Sequence, residues 1–263
     1  TASAYYGNGS NLTGISGDGT IQTGYLYKLN INSSSNTTVT VSVGNASDST
    51  NAVNIVLSAN DLVDITITTD RDFTEGANTW YYVYVIADST GTNARGFLSA
   101  SSITPTLPTS DPVDYTGGFY RRVGSVRNDT SSNLYGVYYS NYGVDKLAMW
   151  GDESTNTGDF RVITAGTATT YTDISLAAVV PPVNTIAYIN FFTYNFAGAA
   201  MSISLRKNGE ASDTVRHRYT QGYNVVQHVP QFINTDTSQV IEYRLNSSGS
   251  GCYINVIGYI DEL

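Results

Sequence analysis

Residues 80–87 read WYYVYVIA, eight consecutive positions that are aromatic, β-branched or alanine. The run is far too short to cross a bilayer as a helix, which takes about 20 apolar residues. Its residue types are those that favour strands. In an extended chain Trp80, Tyr82, Tyr84 and Ile86 share one face, and Tyr81, Val83, Val85 and Ala87 the other. Both faces are large and apolar, so the strand has to be covered on both sides and belongs in the middle of a sheet. Asp88-Ser89-Thr90-Gly91 then ends it with turn-forming residues. A chain built around such a strand needs at least two packed layers.

Strand signals fill the rest. Residues 37–43 (TTVTVSV) alternate cleanly, with Val39, Val41 and Val43 on one face. Further strands are expected at 21–31, 51–57, 62–68, 119–126, 134–139 and 146–150. Residues 151–158 (GDESTNTG) are polar and lack apolar anchors, which marks a boundary. Beyond it, short apolar stretches at 160–164, 171–178, 185–194, 201–206, 216–219, 224–232, 239–245 and 253–260 give about eight strands at close spacing. That rhythm suits a jelly roll or a related two-sheet sandwich. Lys207-Asn208-Gly209 is the strongest hairpin signal, because Asn-Gly favours a tight type I′ turn. The expected fold is all-β: an extended Gly/Asn/Ser-rich arm at 1–20, an N-terminal β domain at 21–150, and a jelly-roll-like β-sandwich at 159–263.

Composition agrees and narrows the function. Charged residues make up 13% of the chain, against roughly 25% in ordinary soluble domains. The surface must therefore be covered by Ser, Thr, Asn, Gly and the hydroxyls of 21 tyrosines. A net charge of −9 argues against nucleic-acid binding, which needs clustered Lys and Arg. The single cysteine, Cys252, rules out an intrachain disulfide, so stability has to come from packing or assembly. No stretch is long and apolar enough for membrane insertion as a helix. The chain opens on Thr1 rather than Met, which leads us to expect a processed or trimmed chain, or a fragment of a longer one.

Three stretches together resemble bacteriophage tail-fibre and virion appendage proteins. They are WYYVYVIADSTG from Trp80, the PTLP crossover followed by YRRVGSV from Tyr120, and the closing CYINVIGYIDEL from Cys252. The resemblance covers about a quarter of the chain. It implies a viral structural protein in the virion or outside the cell, engaged in assembly and host-surface attachment, with a homotrimer and other virion proteins as partners. Two alternatives stand beside it. One is a capsid-surface or fibril-forming subunit whose N-terminal arm completes a neighbour's sheet by strand addition. The other is a polysaccharide depolymerase.

No catalytic motif stands out. There is no Gly-x-Ser-x-Gly elbow, P-loop or HExxH, and His217, set between Arg216 and Arg218, is a poor metal ligand. Neither a metal site nor a cofactor is expected. Asp70, Asp72 and Glu75, with Asp152, Glu153 and Asp159, are the acids that could serve glycoside hydrolysis. They fall in expected loops, where acidic clusters are ordinarily solvated turns. The candidate ligand surface is Tyr135, Tyr138, Tyr139, Asn141 and Tyr142, where sugar rings would stack on tyrosine faces and Asn would bond hydroxyls. The competing reading is that these tyrosines pack one half-buried sheet face. Tyr5, Tyr6, Arg121 and Arg122 are the candidate subunit contacts, with Arg122 alternatively neutralising a nearby Asp.

Overall fold

The computed structural model describes residues 24–109, 111–142, 145–151, 160–183, 185–195, 201–213, 215–219, 227–247 and 250–263. Among them every regular element is a strand, apart from one 3₁₀ turn at Thr68–Asp70. The first half supplies β1 (Leu26–Lys28), β2 (Ile31–Ser33), β3 (Thr38–Val41), β4 (Gly44–Ser47), β5 (Asn54–Leu57) and β6 (Asp61–Asp64). These are followed by β7 (Trp80–Ala87), β8 (Ala94–Ser99), β9 (Phe119–Arg127), β10 (Val137–Tyr142) and β11 (Asp145–Trp150). The second half supplies β12 (Arg161–Gly166), β13 (Thr172–Ser175), β14 (Thr185–Asn195) and β15 (Met201–Lys207). It continues with β16 (Val215–Tyr219), β17 (Gln227–Asn234), β18 (Val240–Leu245) and β19 (Ser250–Asp261). The protein is all-β, and no helix among the described residues is long and apolar enough to cross a membrane.

The aromatic run is a central strand, β7, flanked by β8 and β9 and buried along its length except at Trp80. Its two faces lie in different cores. Tyr82, Tyr84 and Ile86 pack with Phe97 and Tyr115 beneath the crossover that carries Leu107 and Val113. Tyr81, Val83, Val85 and Ala87 enter the main core. Trp80 leaves the face that alternation assigns it. Its ring lies 5.9 Å from both Trp150 and Tyr259 on the main-core side, and its Nε1–H donates to the Ala177 carbonyl at 2.9 Å.

Strands β12 to β19 form two four-stranded layers, ordered β12-β19-β14-β17 and β13-β18-β15-β16. That is the strand order of a jelly roll, as the sequence led us to expect. Residues 152–158 of the expected boundary lie outside the described residues, but pairing joins the strands on its two sides. Strand β19 is twelve residues long and pairs along its whole length with β14. On its other side β12 covers only Cys252–Asn255, which leaves the N–H and C=O groups of Gly258–Asp261 to be paired. Strand β11 takes them, and β10, β2, β3 and β6 follow in order. One nine-stranded sheet therefore runs through both modules. The Asn-Gly hairpin is also longer than a two-residue turn: Gly209 adopts φ +75°, but pairing resumes only at Leu205↔Val215.

A buried polar knot joins the two halves. The Ser125 N–H of β9 donates to the Tyr139 hydroxyl of β10 at 2.8 Å. The Tyr139 and Tyr259 hydroxyls are 2.9 Å apart, and both reach the Ser125 carbonyl, at 2.8 and 3.1 Å. Ser125 Oγ donates to Asp261 at 2.8 Å, and Arg122 pairs with the same carboxylate at 3.1 Å. Burial pushes the Asp261 carboxyl above the usual carboxylate range, against the pull of Arg122, Ser125 and Tyr139. Burial likewise lifts both tyrosine hydroxyls well above their ordinary value.

Candidate functional site

Alternation in β10 turns Tyr138, Ser140 and Tyr142 to the outside of the nine-stranded sheet and Val137 and Tyr139 to the inside. The register then aligns outward positions across five strands: Tyr138 opposite Met149, Met149 opposite Gly258, Gly258 opposite Tyr188, and Tyr188 opposite Phe232. A flat sheet would hold β10 and β17 about 19 Å apart, four strand spacings. Yet the Tyr142 and Phe232 rings are 6.3 Å apart, with β14, β19 and β11 between their strands. The sheet therefore curls and its outer face is concave. A bulge in β19, where Tyr188 faces Gly258 but Ile189 faces Val256, adds to the bend.

The result is a shallow trough with aromatic walls. Tyr138 is 51% exposed, Tyr142 49% and Phe232 41%, and Tyr188 stacks on Phe232 at 4.4 Å. Half-buried Leu147, Met149 and Ile186 lie between them, and Ser140 and Asn234 stand exposed nearby. Flat aromatic faces beside hydroxyl and amide groups can receive a sugar ring or a neighbouring protein surface. Large exposed apolar areas of this kind mark contact sites.

Of the five tyrosine and asparagine positions expected to form a ligand surface, Tyr138 and Tyr142 are on the trough. Tyr139 is buried in the polar knot, because odd and even positions of β10 face opposite ways. Tyr135 packs edge-on against Trp150 and Phe160, with the Arg127 guanidinium 5.5 Å over its ring. Asn141 is exposed, but its Oδ1 accepts from Lys146 at 2.6 Å. Phe232 and Tyr188 complete the trough without a local signal, since only the register of β14 and β17 brings them to it.

Arg121 and Arg122, expected as subunit contacts, have partners within this chain, and the Arg122 pairing with Asp261 is the alternative expected for it. Their Nη2 atoms donate to the carbonyls of Leu263 at 3.2 Å and Glu262 at 2.5 Å, and Arg122 also holds Asp261. Both clasp the end of β19 against β9. Tyr5 and Tyr6 lie outside the described residues. So do Asp152, Glu153 and Asp159.

The remaining acids have structural partners. Asp70 accepts from the Asp64 N–H at 3.0 Å and pairs with Arg95 at 3.3 Å. Asp72 accepts from Ser99 Oγ and the Ala100 and Thr106 N–H groups, pinning the crossover. Glu75 accepts from Asn128 at 3.4 Å. A polar depression elsewhere contains Asp88 and Asp114. Hydrogen bonds from Asn93 and Thr90 to the first, and from Thr116 to the second, hold both carboxyls below their usual range. Among the described residues no three His, Cys, Asp or Glu side chains are grouped to hold a metal ion.

Neither a protein family nor a curated protein sequence matches the chain. Among solved structures, one of the infectious bursal disease virus Gx strain aligns over 90% of this chain and 70% of its own, at 8% identity and a TM-score of 0.17. The VP2 subviral particle of infectious bursal disease virus aligns over 92% and 72%, at 11% identity and a TM-score of 0.16. At these values the likeness defines neither a shared fold nor a shared function.

Proposed function

We propose that this chain is a viral structural protein, a tail-fibre or other virion appendage component, and that its concave aromatic face binds surface glycan during host attachment. The observation that carries the reading is the trough itself: Tyr138, Tyr142, Tyr188 and Phe232 gathered on one face of a sheet with few charges. Two further features support it. The stretches that resemble appendage proteins become β7, β9 and β19, and these form one contact unit through Arg121, Arg122 and the polar knot. The jelly roll also offers a rigid, disulfide-free sandwich suited to repeated use in an assembly. On this reading the chain acts in the virion, as a homotrimer beside other virion proteins.

The test is a glycan and capsular-polysaccharide array probed with the wild-type chain and with a Tyr142→Ala/Phe232→Ala double variant. Both side chains are exposed, so the variant should keep its melting temperature within a few degrees. The expected result is retention of wild type on a subset of glycans and a loss of about five- to 150-fold in the variant, since two stacked aromatics together contribute about 1–3 kcal/mol. Equal binding by the two proteins, or none by wild type, contradicts the proposal.

A further inference from the structure

Lys146 is buried, 1% exposed, yet no carboxylate among the described residues pairs with it. Buried lysines are ordinarily matched by an acid. Here Nζ is held by three neutral oxygens: the Lys28 carbonyl, Asn30 Oδ1 at 2.8 Å and Asn141 Oδ1 at 2.6 Å. The backbone around the first acceptor is unusual. Lys28 and Leu29 both sit in the left-handed region, at φ 59° and 56°, although neither is glycine. Such conformations persist only where the surroundings impose them.

The place is mechanically significant. Strands β2 and β10 share a single register pair, Asn32↔Tyr138, so this is the thinnest seam of the nine-stranded sheet. Lys146 on β11 reaches past β10 to Asn30, just before β2. Asn30 is fixed by its own backbone, its N–H donating to Ser42 Oγ at 2.9 Å and its carbonyl accepting from the Ser42 N–H at 2.8 Å. A covalent link between Lys146 and Asn30 would staple that seam.

We propose that Lys146 Nζ and the Asn30 carboxamide condense into an intramolecular amide crosslink. The lone pair of the neutral amine attacks Cγ of Asn30, forming the Nζ–Cγ bond. The Cγ–Nδ2 bond breaks, a proton passes from Nζ to Nδ2, and ammonia leaves. Nothing is oxidised or reduced, and no further reactant is needed. With Oδ1 at hydrogen-bond distance, a small rotation of Nζ over the amide plane brings it within the ~3–3.5 Å of a near-attack geometry. Burial supplies the neutral nucleophile by lowering the Lys146 pKa to about 8, while the acid opposite it in register, Asp261 on β19, is taken by Arg122 and Ser125. Asn30 is the acceptor rather than Asn141, because Asn141 is open to water and lies directly opposite Lys146 on the adjacent strand, where a link would brace nothing new.

Intact-mass spectrometry of the purified full chain, followed by fragmentation of its proteolytic peptides, tests this without any variant. The expected result is a species lighter by one ammonia, with a branched peptide joining Lys146 to Asn30. Its fraction should grow faster when the chain is incubated above the lysine's pKa than below it. Lys146→Met should restore the unshifted mass. An unshifted wild-type mass after alkaline incubation overturns the proposal. A branch at Asn141, or an ammonia loss confined to a linear peptide as a succinimide, overturns it equally.

Discussion

Tyr139→Phe isolates the polar knot. The substitution keeps the ring edge-on to Tyr259 and removes only the hydroxyl. Its direct consequence is that the Ser125 N–H, fully buried, loses its acceptor at 2.8 Å. Water cannot replace it in a packed site. An unsatisfied buried donor costs about 1–3 kcal/mol, and the lost hydroxyl bond adds about 1 kcal/mol. The Tyr259 hydroxyl and Asp261 are not orphaned, since the Ser125 carbonyl at 3.1 Å and Ser125 Oγ at 2.8 Å remain. The expected loss is therefore about 2–4 kcal/mol. Tyr259→Phe removes a hydroxyl that accepts no backbone N–H, so it should cost less, about 1 kcal/mol. The double variant should fall short of the sum, because the two hydroxyls share partners. Tyr138→Phe, one residue away on the exposed face, should change stability by no more than about 0.5 kcal/mol. Thermal unfolding followed by near-ultraviolet circular dichroism reads all four, at about 2–4 °C per kcal/mol for a chain of this size. A neutral Tyr139→Phe, or Tyr138→Phe as costly as Tyr139→Phe, would refute the assignment of inside and outside on β10.

Three further outcomes follow from the same contacts. Arg122→Ala leaves the fully buried Asp261 carboxylate without its guanidinium and should cost about 3–5 kcal/mol at neutral pH. Because burial raises the folded-state pKa of Asp261, the folded chain binds that proton more tightly, so the variant's deficit should shrink as pH falls; a pH-independent deficit would contradict this. Gly124→Ala would place a Cβ 2.5 Å from Ile31 Cδ1 and 2.8 Å from Tyr139 Cε1, and this overpacking should lower stability by about 1–3 kcal/mol in the same assay. Burial lifts the Cys252 thiol to about 12, so it should resist a disulfide reagent in the folded chain and react once denaturant exposes it.

What the residues reveal locally and what they leave to tertiary structure separate cleanly. Strand β7 was legible to the residue, because eight strand-formers with two apolar faces have one reading. The jelly roll was legible from spacing. Strands β4 and β8 were not. Gly44-Asn45-Ala46-Ser47 has no apolar period, and its glycine is needed because the Tyr27 carbonyl lies 2.3 Å from where a Cβ would sit. Ala94–Ser99 becomes a strand through its pairing with β7 rather than through propensity. Alternation separates Tyr138 from Tyr139 but cannot say which faces inward. Ser125 and Tyr259, distant in sequence, decide that. The trough was half legible for the same reason: Tyr142 belonged to a visible cluster, while Phe232 reaches it only through the curl of a sheet whose strand order no local pattern encodes. That Arg122 neutralises an Asp was legible as one of two readings, but that the acid is Asp261, more than a hundred residues away, follows only from the packing of β19 on β9.

Light scattering coupled to size exclusion, run on the purified chain over a wide dilution series, tests the proposal of an assembling structural subunit most directly. A discrete trimer is expected, its mass holding on dilution and unchanged by Tyr142→Ala/Phe232→Ala if, as proposed, the trough faces ligand rather than neighbouring subunits. A monomer at every concentration would contradict it.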